Sequence, residues 1–309
     1  MKLYHVIESQ QFDRGLLEEV LFPLAREMER IVEEGGSNIL AGKRMISCFY
    51  ERSGRTRAAF EIAMDMLGGK VVFSTEHASE FSGGTEGEIL EDTIRFLCRF
   101  RPDVIVLRYH EEDGAKTASE FSSVPIINAG DRTGQHPTRA LIDLYTIQQR
   151  LGKIDGLSIA MVGDLSRGRT ARSLSYLLGK FSDVRIFFIS PESAKMRDDI
   201  KEYLARHNIV FQEGNDLREI APRVDVIYQT QTKRPRALLL ERYGQAKGFY
   251  VVDQEVLDLM KKDAIVMHPL PRGDEITFDV DADQRAVYLR EQADSSLVIP
   301  MALLKMILA

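Results

Sequence analysis

Ser53-Gly54-Arg55-Thr56-Arg57 follows the apolar run Met45 to Tyr50 and opens a segment of helical period, Ala58 to Leu67. A strand that turns into a helix through hydroxyls and two arginines forms a site for an anion. The open N–H groups and positive dipole end of a first helical turn favour phosphate, and guanidinium forks add charge-assisted hydrogen bonds. The Gly-x-x-x-x-Gly-Lys-Ser/Thr spacing of a P-loop is missing. In open α/β sheets a ligand sits beyond the carboxyl ends of the strands, so the polar residues after each apolar run carry the chemistry. Arg108 follows Val104 to Leu107, and Gln135-His136-Pro137-Thr138-Arg139 follows Val124 to Asn128. Gly163-Asp164 leads to Arg167 and Arg169, Tyr228 to Gln231 and Lys233, and Met267 to His268-Pro269-Leu270-Pro271-Arg272. A lone arginine after a strand is usually solvated, and a lone histidine such as His136 is usually structural. Six strand ends with one theme instead describe a rim of cations and donors, suited to a doubly charged phosphate beside a carboxylated partner. Catalysis there rests on positioning and electrostatics rather than on a covalent nucleophile.

The elements that must position these groups alternate along nearly the whole chain. Besides Met45 to Tyr50, strand-like runs occur at Lys70 to Phe73, Val104 to Leu107, Val124 to Ile127, Leu157 to Val162, Val184 to Ile189, Ile209 to Gln212, Val224 to Tyr228 and Ala264 to Met267. Longer amphipathic segments separate most of them, which predicts an α/β protein with two domains, each a mostly parallel sheet flanked by helices. The helix-like stretch Thr138 to Leu151 divides the strand series into comparable halves. Residues 1–137 with 290–309 are expected to form one domain and 138–289 the other. The last apolar segment, Leu297 to Leu308, is too short to span a bilayer and is expected to pack back as a helix.

At 309 residues the chain has length for about two domains of roughly 150 residues. A net charge of -6 argues against nucleic acid or an anionic membrane as the main partner. Two cysteines, Cys48 and Cys98, provide neither a disulfide framework nor a metal quartet, and are expected to be buried thiols of a cytoplasmic protein. No residue spacing suggests a metal, no Gly-x-Ser-x-Gly elbow is present, and no segment fits the Gly-x-Gly-x-x-Gly of a nicotinamide site, so no cofactor is expected.

At these residues the chain resembles the aspartate/ornithine carbamoyltransferase family, on its aspartate side. Ser53-Gly54-Arg55-Thr56-Arg57 is similar to the family's Ser-Thr-Arg-Thr-Arg loop for carbamoyl phosphate. Asn128-Ala129-Gly130-Asp131 with Gln135-His136-Pro137-Thr138 resembles its second donor-binding segment. Met161 to Thr170 resembles the entry to its acceptor domain, and His268 to Arg272 followed by Asp274-Glu275 its His-Pro-Leu-Pro-Arg motif. The resemblance implies that Ser53, Gly54, Arg55 and Thr56 hold the phosphate of carbamoyl phosphate, and that Arg108 and His136 polarise the carbamoyl oxygen. It implies that Arg169 holds an acceptor carboxylate and that Leu270 and Pro271 supply carbonyl contacts across a cis-proline turn. It also implies a homotrimer or a multiple of it, with residues 79–87, including Ser82 and Glu86, reaching a neighbour's site.

Several positions depart from the family pattern. Glu86 stands where the family loop has lysine, Arg139 replaces the glutamine that contacts the carbamoyl amide, and Gln231 with Lys233 replaces an Arg-x-Gln pair. Gly54 replaces a threonine. Arginine has no acceptor atom for an N–H. Two expectations follow: a carbamoyltransferase acting on aspartate or on another amine, or a non-catalytic homologue with a structural or sensing role.

Overall fold

The computed structural model describes residues 3–76, 89–231 and 250–309. They fold into two α/β units, Met1–Ile142 with Asp294–Ala309, and Asp143–Ala293.

In the first unit a π-helical stretch Leu16–Leu21 leads into α1 (Phe22–Glu33), and β1 (Arg44–Phe49) leads into α2 (Gly54–Met66). Then come β2 (Lys70–Thr75), α3 (Leu90–Arg99), β3 (Val104–Tyr109), α4 (Gly114–Phe121), β4 (Ile126–Asp131) and α5 (Pro137–Leu151), the last running on into the second unit. The sheet has the order β2-β1-β3-β4, with every pair parallel. The apolar runs of β1, β3 and β4 are buried on both faces, as parallel strands between helices require: Ile46, Cys48, Ile105, Leu107 and Ile126 pack against Ile94 and Leu97 of α3 and Ala118 of α4.

The second unit continues with β5 (Ser158–Val162), α6 (Arg169–Leu178), β6 (Arg185–Ile189), α7 (Asp198–Arg206), β7 (Val210–Gly214), α8 (Leu217–Ile220) and β8 (Val226–Gln229). After α9 (Gln254–Leu259) and β9 (Ile265–Met267), α10 (Glu291–Leu308) carries the chain back to the first unit. The five parallel strands lie in the order β7-β6-β5-β8-β9. Their core joins Ala160, Val162, Phe187, Ile227 and Val266 to Leu217, Val256 and Tyr288.

Two of the element boundaries that differ from the sequence reading do so for one shared reason. The strand expected over Val124 to Ile127 is β4, Ile126–Asp131, so Asn128 and Asp131 lie inside the strand rather than after it. Polar residues can sit there because their hydrogen bonds are met: Asn128 Nδ2 donates to the Ile7 carbonyl at 2.8 Å and its Oδ1 accepts from Gly130 N–H at 2.7 Å. The C-terminal helix starts at Glu291 rather than Leu297, because the buried Gln292 finds polar partners. Among the described residues no helix is long and apolar enough to cross a membrane.

Candidate active site

Each strand order reverses direction at one place, between β1 and β3 in the first sheet and between β5 and β8 in the second. At such a place neighbouring loops diverge and leave a crevice beyond the strand ends, which is where ligands bind in open α/β sheets. In the first unit Ser53 follows β1, Gly54 to Thr56 open α2 and Arg108 stands near the end of β3; in the second Arg169 opens α6 beyond β5 and Gln231 follows β8.

The first crevice is built around Arg108, which is largely shielded from solvent. Its guanidinium donates to Ser53 Oγ at 3.1 Å and to the Ala129 carbonyl at 3.3 Å, and its Nε lies 3.4 Å from Glu51 Oε2. One side chain thus joins the ends of β1, β3 and β4. Ser53 is the N-cap of α2, and its hydroxyl makes no capping bond to that helix. Its N–H donates to Glu76 Oε1 at 2.8 Å, and Arg57 lies 3.9 Å from the same carboxylate. The first turn of α2 has no acidic residue; it holds Arg55 instead. A cation there opposes the helix dipole by about 0.3–1 kcal/mol, a cost that a bound anion reverses. Glu51 and Glu76, which sequence reasoning passed over, orient this loop; Glu76 directly follows β2 and Glu51 lies two residues beyond β1, a closeness to strand ends that could have marked them.

His136 is buried and enters from the loop after β4. Asp131 fixes that loop by accepting from the N–H groups of Gln135 and, at 3.1 Å, of Asp113. Any side chain at Gly134 would run into it, with a Cβ 2.5 Å from Asp131 Oδ1. Gln135 adds ties to the N-terminal segment, accepting from Ser9 N–H at 2.9 Å and donating to Gln10 at 2.9 Å. The Nδ1 of His136 accepts from Arg139 N–H at 3.3 Å, which leaves the neutral ring its proton on Nε2. Partial burial, and second to it the charge of Arg139 in the first turn of α5, lowers the Arg55 pKa from its ordinary value. Contacts thus link Ser53 to Arg108, and Arg139 to both His136 and Arg55, with Gly54 and Thr56 beside Arg55 in the first turn of α2.

In the second unit, Arg169 is the first residue of α6, and the Gln231 carbonyl accepts from Asp164 N–H at 3.4 Å, linking the loops after β5 and β8. Gln231 Nε2 donates to the Pro271 carbonyl at 2.6 Å. The Leu270–Pro271 peptide is cis, and Leu270 has a positive φ of 48°. Arg272 anchors the far side of this turn, donating to Asp281 and, at 2.9 Å, to the Tyr288 hydroxyl, and stacking 4.7 Å above the Phe278 ring. Burial and the hydrogen bond to Asp281 hold the Tyr288 phenol well above its ordinary value. Behind the turn, the buried His268 Nε2 lies 2.9 Å from Glu275 Oε1, and its Nδ1 accepts from Leu270 N–H at 2.8 Å. Burial raises the Glu275 pKa, but donors from His268 and Gly273 outweigh it and keep the carboxyl below its ordinary value. Ser82, Glu86 and Lys233, with the whole 79–87 segment, lie outside the described residues.

Comparison with known proteins places this geometry among relatives. The aspartate/ornithine carbamoyltransferase carbamoyl-P binding domain matches residues 4–149, and the Asp/Orn binding domain of the same family matches 155–307. The chloroplastic aspartate carbamoyltransferase of Arabidopsis thaliana is 53% identical over 99% of this chain and 78% of its own. The aspartate carbamoyltransferase catalytic subunit of Methanocaldococcus jannaschii is 42% identical over 97% of this chain and 96% of its own. The crystal structure of aspartate transcarbamoylase from Trypanosoma cruzi in complex with carbamoyl phosphate and aspartate superposes with a TM-score of 0.91 at 37% identity, covering 99% of this chain and 96% of that one.

Proposed function

The chain belongs to the aspartate/ornithine carbamoyltransferase family, and from that premise we propose that it transfers a carbamoyl group from carbamoyl phosphate to the amine of an amino-acid-like acceptor. The observation that carries the reading is Arg108, whose bonds to Ser53 and Ala129 gather three strand ends around the N-terminus of α2. In this reading Ser53, Arg55 and Thr56 bind the phosphate with the open N–H groups of the helix. Arg108 and the Nε2–H of His136 donate to the carbamoyl oxygen. The acceptor amine attacks the carbonyl carbon, negative charge gathers on that oxygen, the carbon–oxygen bond to phosphate breaks, and phosphate departs with the proton lost by the amine. Positioned donors for a developing oxyanion are commonly worth about 10²–10³ each in rate. Arg169 and Gln231 bind the acceptor, a role that Lys233 shares by its place in the sequence alone, and the Leu270 and Pro271 carbonyls receive the carbamoyl N–H groups.

Arg139 supports a second reading. A group with donors only, beside the cationic Arg55, offers nothing to a carbamoyl amide, so a non-catalytic homologue that binds phosphate or a related anion is the alternative. Product formation from carbamoyl phosphate with aspartate, ornithine or a diamine decides between them; phosphate-induced thermal stabilisation without turnover on any amine selects the second.

We also propose a homotrimer, or a multiple of it, in the cytoplasm. The edge strand β2 and the neighbouring α2 leave Val72, Phe73 and Ile62 at 39%, 47% and 51% exposure, an apolar face of the kind that a subunit contact covers. Neither cysteine is in a disulfide. Sedimentation as a monomer at micromolar concentration overturns the assembly.

A further inference from the structure

The Leu270–Pro271 turn is held from behind by a chain of hydrogen-bonded polar side chains, all of them buried. Glu275 Oε1 accepts from His268 Nε2 and from Gly273 N–H, each at 2.9 Å. His268 Nδ1 accepts from Leu270 N–H at 2.8 Å. The His268 N–H donates to Gln292 Oε1 at 3.0 Å, Gln292 Nε2 to Asp143 Oδ1 at 2.7 Å, and Tyr228 OH to Asp143 Oδ2 at 2.6 Å. His268, Gln292, Asp143 and Tyr228 are each exposed by 1% or less. A carboxylate on one ring nitrogen requires N–H there, so the other nitrogen is bare and can accept. The acceptor matters because Leu270, a branched residue, sits at φ 48°, a conformation that persists only where the surroundings determine it.

We propose that His268 is a positioning residue: held by Glu275 as the Nε2–H tautomer, it pins Leu270 in the left-handed region and so aims the Leu270 and Pro271 carbonyls at the donor's amide. The inference rests on the reading that these carbonyls receive the carbamoyl N–H groups. Gln231 completes the device from the front, its amide taking one lone pair of the Pro271 carbonyl and leaving the other for ligand. The chain of contacts gives Glu275 a defined task as well, since without its charge the imidazole can adopt the tautomer that presents N–H to N–H at Leu270.

Two substitutions separate the two ring nitrogens. His268→Asn sets a carbonyl oxygen where Nδ1 lies and retains an acceptor for Leu270; His268→Gln sets an amide nitrogen where Nε2 lies and retains only the contact to Glu275. Calorimetry with inorganic phosphate and with carbamoyl phosphate reads the result, because only the second ligand carries an amide. The expected outcome is an unchanged phosphate affinity in both variants, with the preference for carbamoyl phosphate kept in His268→Asn and reduced about fivefold or more in His268→Gln, the loss of one oriented hydrogen bond. A preference that survives in His268→Gln overturns the proposal alone. Equal affinity of the unaltered protein for the two ligands overturns the carbonyl reading, and the proposal with it. Nitrogen-detected histidine NMR of the unaltered protein gives a test independent of variant folding: the Nε2–H tautomer at His268 is expected, and Nδ1–H overturns the proposal.

Discussion

Single side chains in the first crevice carry the sharpest consequences. Arg55 stands in a helix turn with no acidic residue and feels the charge of Arg139, so a bound anion relieves its position. Arg55→Ala is expected to weaken phosphate binding at least tenfold, the value of a charge-assisted hydrogen bond of about 1.5–3 kcal/mol, measured by calorimetry. Unchanged affinity removes the basis of the proposed site. Arg139→Gln should raise carbamoyl phosphate affinity, because a glutamine restores an acceptor for the amide and lifts a charge from Arg55. If Glu86 of one subunit meets Arg139 of another, the pair Glu86→Lys with Arg139→Gln should exceed the sum of the single changes in carbamoyl phosphate binding. Strict additivity shows that the two positions do not touch.

Elements explain how much of this was legible beforehand. The parallel sheets were readable because Val104 to Leu107 of β3 and Ile159 to Val162 of β5 are unbroken apolar runs, the signature of a strand buried on both faces. Residues at or just beyond strand ends were readable from the same runs, which is why Ser53, Arg55, Arg108 and His136 emerge together. Elements whose polar residues are buried were not: β4 hides Asn128 and Asp131, and the first turn of α10 hides Gln292 and Ser295. Their partners lie more than a hundred residues away in sequence in the cases of Ile7 and Asp143, and no local pattern encodes such a match. Glu275 was visible only as a neighbour of the proline motif; its bond to His268 needed the fold. A pH dependence belongs at this scale too. Asp283, before α10, is held below its ordinary value of 3.8 chiefly by the Arg285 fork, at 2.9 and 2.7 Å. A depressed carboxylate contributes stability that is present above the unfolded value and lost as pH falls through the folded one. Thermal melts from about pH 6 to about pH 3 should therefore show the advantage of the native protein over Asp283→Asn shrinking with acid. A constant difference contradicts the ion pair.

At the scale of the whole molecule, the second unit is an insertion within the first, since the chain leaves the first unit at Ile142 and rejoins it at Asp294. The hydrogen bond from Gln292 to Asp143 ties together the residues at the two ends of that insertion, and Tyr228 of β8 secures the knot from within its own sheet. While the inserted unit is folded, the two parts of the first unit are therefore joined by a short span. If it melts, the same two parts are tethered by a flexible loop of roughly 150 residues, whose closure entropy is on the order of 4 kcal/mol. The coupling runs one way: melting the insertion loosens its host, including the end of α10 where Lys305 pairs with Glu27 at 2.6 Å, whereas the insertion keeps its own clasp. Asp143→Ala should accordingly merge or lower both calorimetric transitions rather than one, and a first-unit transition that stays in place shows that the host does not depend on its guest for chain closure.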